Sequence, residues 1–140
     1  MAGFALFITM SANHGAADCR VTDEDFIKRQ LPTMKDWQNI YSVFKKNIPQ
    51  CPDDGVFAEG YDAVVVKTLA KRWSDLPQLK TLASEDTVFR SFVYKHISAT
   101  TDRHDLQHVL HNANANCPPN CSKLCSDIAG RAKLLLAGKQ

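Results

Sequence analysis

Three groups of residues have types and spacings that could do chemistry. The first is Cys117, Cys121 and Cys125, three of the five cysteines, in the pattern C-x3-C-x3-C. Thiolates can hold zinc, but structural zinc sites usually use C-x2-C knuckles, and His111 is the one histidine close by. The other reading is a disulfide that ties the loop before the last helix to that helix, through Cys117 with Cys125 or with Cys121. Cys19 with Cys51 would secure the N-terminal segment in the same way. Spacing does not fix connectivity, and an odd number leaves at least one thiol unpaired or joined to another molecule. With Cys121 and Cys125 one helical turn apart, one of them can serve as a small buried apolar residue.

The second group is His104, His108 and His111. On a helix these three fall within roughly 60° of one another, with Leu106, Val109, Leu110 and Ala113 opposite. A histidine pair one turn apart can chelate a transition metal, and a third would complete an open site. A solvated polar face gives the same pattern, and no His-Glu-x-x-His motif supplies a base. The third group is Asp53, Asp54, Glu59 and Asp62, which gather negative charge at the start of a long helical pattern. Helix-dipole acids are one reading of it and a docking surface for a basic partner is the other. The ordered D-x-D-x-D-G sequence of a calcium loop is missing.

These groups are carried by helices. After residue 22 apolar spacing is helical almost throughout. Trp37, Ile40, Tyr41 and Phe44 recur at i, i+3, i+4 and i+7 behind an expected capping-box start at Thr33. Pro49 stops that helix, and Pro52-Asp53-Asp54 suits the first turn of the next. This next helix, over about residues 53 to 73, carries Phe57, Tyr61, Val64, Val65, Val66 and Leu69. It is apolar over so much of its circumference that it should be central. Gly55 and Gly60 interrupt it, and a glycine in a packed helix permits the close approach of another backbone. Shorter helices should follow, opened by Ser74 with Pro77, by Ser84 to Thr87, by Thr101, and by Cys121 after the break at Pro118-Pro119. A weak turn is expected over residues 23 to 30. No segment alternates as a strand does. The sequence predicts an all-α, single-domain bundle of about five or six short helices, stapled by one or two disulfides.

Residues 1–17 stand apart from this pattern. They contain no Lys, Arg, Asp or Glu, and residues 2–10 (AGFALFITM) form an apolar run that gives way to Gly15-Ala16-Ala17. This is the apolar core and small-residue cleavage site of an export signal, without the usual opening Lys or Arg. Cleavage is expected near Ala17-Asp18, with residues 18–140 as the mature domain. Asp18 before Cys19 argues against a lipid anchor. The run is too short to span a bilayer, which takes about 20 residues, and no later stretch comes closer. The periplasm or the exterior is therefore the expected location, where cysteines oxidise. The net charge is +2 without a concentrated basic face, which speaks against nucleic acid.

A resemblance runs through the same residues. Cys51-Pro52-Asp53-Asp54-Gly55, then Glu59-Gly60-Tyr61, Leu69-Ala70 and Trp73, resembles a group of small exported helical proteobacterial proteins of unassigned activity. The likeness continues through Phe92-Val93, His96-Ile97 and Cys117-Pro118, spanning about residues 35 to 130. In size, export and helicity the chain is similar to periplasmic immunity proteins that neutralise cell-wall amidase effectors of type VI secretion. The first group carries no activity to transfer, whereas the likeness to immunity proteins implies a binding protein. The residues agree, since no G-x-S-x-G, phosphate-binding glycine loop or cofactor fingerprint is present. The expectation is a non-catalytic, exported inhibitor that needs no cofactor. It would meet a basic protein effector or enzyme through Asp53, Asp54, Glu59 and Asp62. The alternative is a small periplasmic metal-binding protein using His104, His108 and His111.

Overall fold

A computed structural model describes residues 18–138, so the expected export signal at residues 1–17 lies outside the described residues. Among the described residues every regular element is helical. The first, α1 (Asp23–Asp25), is a single turn capped by Thr22, whose hydroxyl accepts from the Asp25 N–H. It widens into a π-helical turn at Phe26–Gln30 and tightens into a 3-10 turn at Leu31–Thr33. Then come α2 (Trp37–Asn47), α3 (Gly55–Lys71), α4 (Leu76–Glu85), α5 (Thr87–Lys95), α6 (Arg103–Ala115) and α7 (Ser122–Leu136), with a 3-10 turn at Trp73–Asp75 leading into α4.

Aspartates start three of these helices. Asp36 caps α2 by accepting from Asn39, Asp86 caps α5 by accepting from Val88 and Phe89, and Asp102 caps α6 by accepting from His104. Each satisfies backbone donors that have no partner inside the helix, worth about 1 kcal/mol per cap. The hydroxyls expected to start two of them do something else. Thr33 donates to the Gln30 carbonyl and Thr101 to the Ser98 carbonyl, each closing the turn that precedes its helix. The long helix begins at Gly55 rather than near residue 53 because Asp54, its N-cap, has an extended backbone (φ −146°, ψ 176°).

The expected central helix is α3. Phe57, Tyr61, Val65, Val66 and Leu69 are buried in a core to which every other long helix contributes. Aromatic rings run through it as a seam. Phe57 lies 4.6 Å from Phe26, Phe26 5.2 Å from Tyr61, and Tyr61 5.0 Å from Phe92. Phe92 then meets Phe44 at 4.9 Å, Phe44 meets Phe89 at 5.1 Å, and Phe89 meets Tyr41 at 4.9 Å. Such pairs add about 0.5–1.5 kcal/mol each beyond their burial. The glycine at position 60 admits a ring rather than a backbone. A Cβ there would stand 2.5 Å from Phe26 Cε1 and 2.9 Å from its Cζ.

Two disulfides staple the bundle, Cys19–Cys51 and Cys117–Cys125, which leaves Cys121 as a buried free thiol. The first closes a separation of 32 residues and the second one of 8. Loop-closure entropy then assigns roughly 3–4 kcal/mol to the first and roughly 2–3 kcal/mol to the second.

Thiol titration of the denatured, unreduced protein should find one free thiol; three or five would contradict the pairing. Gly60→Ala should cost about 1–3 kcal/mol in denaturant melts by forcing the Phe26 ring out of its seat. A substitution without effect would mean that the ring moves aside freely.

Candidate functional site

The most unusual group in the interior is the imidazole of His96. It ends α5, its N–H bonded to the Phe92 carbonyl, and its ring turns inward between Phe92 (4.5 Å) and Tyr61 (5.3 Å). The residue is 1% exposed. Its Nδ1 lies 2.6 Å from Asp62 Oδ1, and its Nε2 lies 2.9 Å from Asp53 Oδ2. Ionised carboxylates only accept, so a ring facing one at each nitrogen donates from both and is an imidazolium. Burial alone would lower its pKa. The hydrogen bonds to Asp53 and Asp62 and the charges of both outweigh that and raise it above the ordinary histidine value.

Each carboxylate has a further partner. Lys95 donates to Asp53 Oδ2 at 2.8 Å and to the Asp53 carbonyl at 3.2 Å. Thr100 donates to Asp62 Oδ2 at 2.9 Å. Burial acts to raise the pKa of Asp53, but the bonds and charges of His96 and Lys95 prevail and hold it below the usual carboxylate value. Asp53 Oδ1 is buried and has no hydrogen-bond partner among the described residues.

Three chain segments bring this cluster together. Asp62 is in the second turn of α3, and His96 with Lys95 forms the end of α5. Asp53 is in the connection between α2 and α3, which the Cys19–Cys51 disulfide and the Cys51 N–H bonded to the Asn47 carbonyl hold in place. Asn47, fully buried, donates to the Tyr61 hydroxyl at 3.1 Å and to Gln30 Oε1 at 2.6 Å. Burial, the leading cause, raises the pKa of Tyr61. Its ring side meets His96 and its hydroxyl meets Asn47, so one side chain joins two polar clusters through an apolar core. With both ring nitrogens engaged, His96 can hand a proton to a group outside this cluster only by giving up one of these bonds.

The expected acidic docking group is thereby divided. The side chains of Asp53 and Asp62 are 19% and 14% exposed and are bonded to His96, whereas Asp54 and Glu59 are exposed. Outside the cluster, Glu59 and the outer edge of Asp62 line an open groove of about 470 Å³ between α3 and α6, with Asp102 and Asp105 opposite and Lys67 at one end. Asp102 and Asp105 belong to this surface by folding alone, for they lie 40 residues or more from Glu59 in the chain. His104, His108 and His111 are all exposed on α6. Among the described residues no three His, Cys, Asp or Glu side chains converge as a metal-ligand set would. Of the C-x3-C-x3-C group, Cys117 and Cys125 are joined and Cys121 sits buried at the start of α7.

His96 was not among the residues that the sequence marked for chemistry. Its signal was a histidine one turn after Phe92 on the apolar stripe of α5, a position that a solvated histidine would not occupy. No helix among the described residues is long and apolar enough to cross a membrane. No protein-family model matches this chain, and no curated protein or solved structure is similar to it.

The raised pKa of His96 gives stability that is fully present below the unfolded value of about 6.5 and is lost as pH rises through the folded one. The lowered pKa of Asp53 gives stability present above about 3.8 and lost as pH falls through its folded value. Melting temperature should therefore be highest in mildly acidic buffer and decline towards alkaline pH. His96→Gln should lower stability by about 3 kcal/mol by leaving two carboxylates without their cation, and should flatten the alkaline decline. Parallel pH profiles for the two proteins would remove His96 as the cause.

Proposed function

We propose that this protein is an exported, periplasmic binding protein without catalytic activity, an inhibitor of the immunity type that neutralises a basic protein partner by stoichiometric contact. The observation that carries this reading is the acidic groove between α3 and α6. Glu59, Asp62, Asp102 and Asp105 face it from two helices, with Lys67 in the lining and Lys71 3.8 Å from Asp105, so that acids still outnumber cations. Carboxylates converging from separate elements favour a cationic side chain reaching in from a partner, and they steer its approach at low salt.

Two further features support the reading. The disulfides are of the kind that persists in an oxidising compartment. The buried imidazole of His96 is enclosed and bonded at both ring nitrogens, as suits a scaffold that presents a fixed surface. A rigid surface binds with little ordering cost, which is the property a stoichiometric inhibitor needs.

The test uses the exposed acids and leaves the interior intact. The tagged protein should recover one dominant basic partner from envelope extract, in equimolar amount. Asp54→Lys with Glu59→Lys should weaken that complex at least about tenfold while the melting temperature stays within about 2 °C of wild type. A complex that survives both reversals would place the contact elsewhere on the surface.

A further inference from the structure

One carboxylate belongs both to the interior and to the acidic groove. Asp62 Oδ1 lies 2.6 Å from Nδ1 of the enclosed His96 ring, and Asp62 Oδ2 accepts from the Thr100 hydroxyl at 2.9 Å. Asp62 and Thr100 both line the groove between α3 and α6. The Asp62 side chain is 14% exposed and that of His96 1%, so the bond between them leads from the surface into the core. Among the described residues no other acid of the groove bonds to His96. Asp102 Oδ1 caps α6 by accepting from the His104 N–H, and Asp105 lies 3.8 Å from Lys71. Glu59 is exposed, three residues before Asp62 on the same helix.

The groups around the imidazole come from several elements. The connection after α2 supplies Asp53, 2.9 Å from Nε2, and α3 supplies Asp62 and the Tyr61 ring. On the helix of His96 itself, Lys95 donates to Asp53. From α7, Arg131 donates to the carbonyl of Ile97, the next residue. The ring charge is thus held by two carboxylates, and the second oxygen of one of them meets Thr100 at the groove wall. We propose, on the reading of this groove as a docking surface for a basic partner, that His96 and a cationic side chain in the groove compete for the Asp62 carboxylate. The proton on His96 then controls how tightly the groove holds the partner.

An imidazolium balances the charge of Asp62 from within. A neutral ring leaves that charge to the groove, where it adds to those of Glu59 and Asp102. Capture of a cation should therefore weaken as pH falls through the folded pKa of His96 and strengthen as pH rises. Stability has the opposite slope, since the same proton supports the fold. The coupling is reciprocal: a cation in the groove loosens the hold of the ring on its proton by the same factor.

In the purified protein the His96 ring can be followed through pH by NMR, assigned by its contacts with the Phe92 and Tyr61 rings. Glu59→Lys puts a cation one turn from Asp62 and should lower the His96 midpoint by about 0.5 pH or more. Glu85→Lys, a reversal of equal size at the far end of α4, should leave the midpoint within about 0.2 pH of wild type. An unchanged midpoint in Glu59→Lys, or equal shifts in both variants, would overturn the coupling whether or not a partner is found. The complex with a captured basic partner should be at least about fivefold weaker below the His96 midpoint than above it, and Asp62→Asn should remove that ratio. A ratio near one in the wild type, or the same ratio in Asp62→Asn, would also overturn it. Recovery of no partner would sink the docking reading alone and leave the titration to decide the coupling.

Discussion

An imidazolium enclosed between two carboxylates is the constraint on which the remaining structure depends. His96, Asp62 and Asp53 come from the end of α5, the second turn of α3 and the connection after α2. Their register is therefore fixed by charge as well as by shape. A buried ion pair adds little net stability over a well-packed apolar substitute, but a buried charge that loses its partner is costly. Sliding α5 by one residue along α3 would strand the imidazolium and both acids together. Apolar packing alone tolerates such slips more readily, since one ring can often take the place of another.

The elements around the cluster are arranged to hold it. The Cys19–Cys51 disulfide and the buried Asn47 fix the approach to Asp53. Tyr61 touches Phe26, Phe57, Phe92 and His96 with its ring and receives Asn47 at its hydroxyl. Gly60, its neighbour, leaves the space that Phe26 fills, and this lets the π-helical turn lie directly against α3. The inner half of α3 is thus committed to the core. On its outer side Glu59 and Lys67 are exposed, while Lys71 pairs with Asp105 of α6.

Much of the helical framework was legible in the sequence. The apolar period of Trp37, Ile40 and Phe44, the breadth of apolar residues in α3 and the proline breaks before α3 and α7 gave helices close to where they lie. Starts were less legible at Thr33 and Thr101, because a hydroxyl that can cap a helix can equally close the preceding turn, and an aspartate was within three residues of each. The acids were visible as a local group of Asp53, Asp54, Glu59 and Asp62. Which of them face the interior was not, since that depends on His96, more than thirty residues further along the chain. Asp102 and Asp105 joined the same groove from α6 for a similar reason.

By itself, the sequence determined the helical class, the central place of α3 and an even-plus-one set of cysteines that permits two disulfides. Those properties follow from local periodicity, composition and parity, and each can be read within a window of one helix or from a count. Only the tertiary structure decided that Cys117 pairs with Cys125 and leaves Cys121 free, that His96 is an interior cation, and that Asp53 and Asp62 serve it while Asp54 and Glu59 remain outside. The physical reason is that charge pairing and disulfide bonding depend on distance in space, and distance along the chain carries almost no information about it once helices pack side by side.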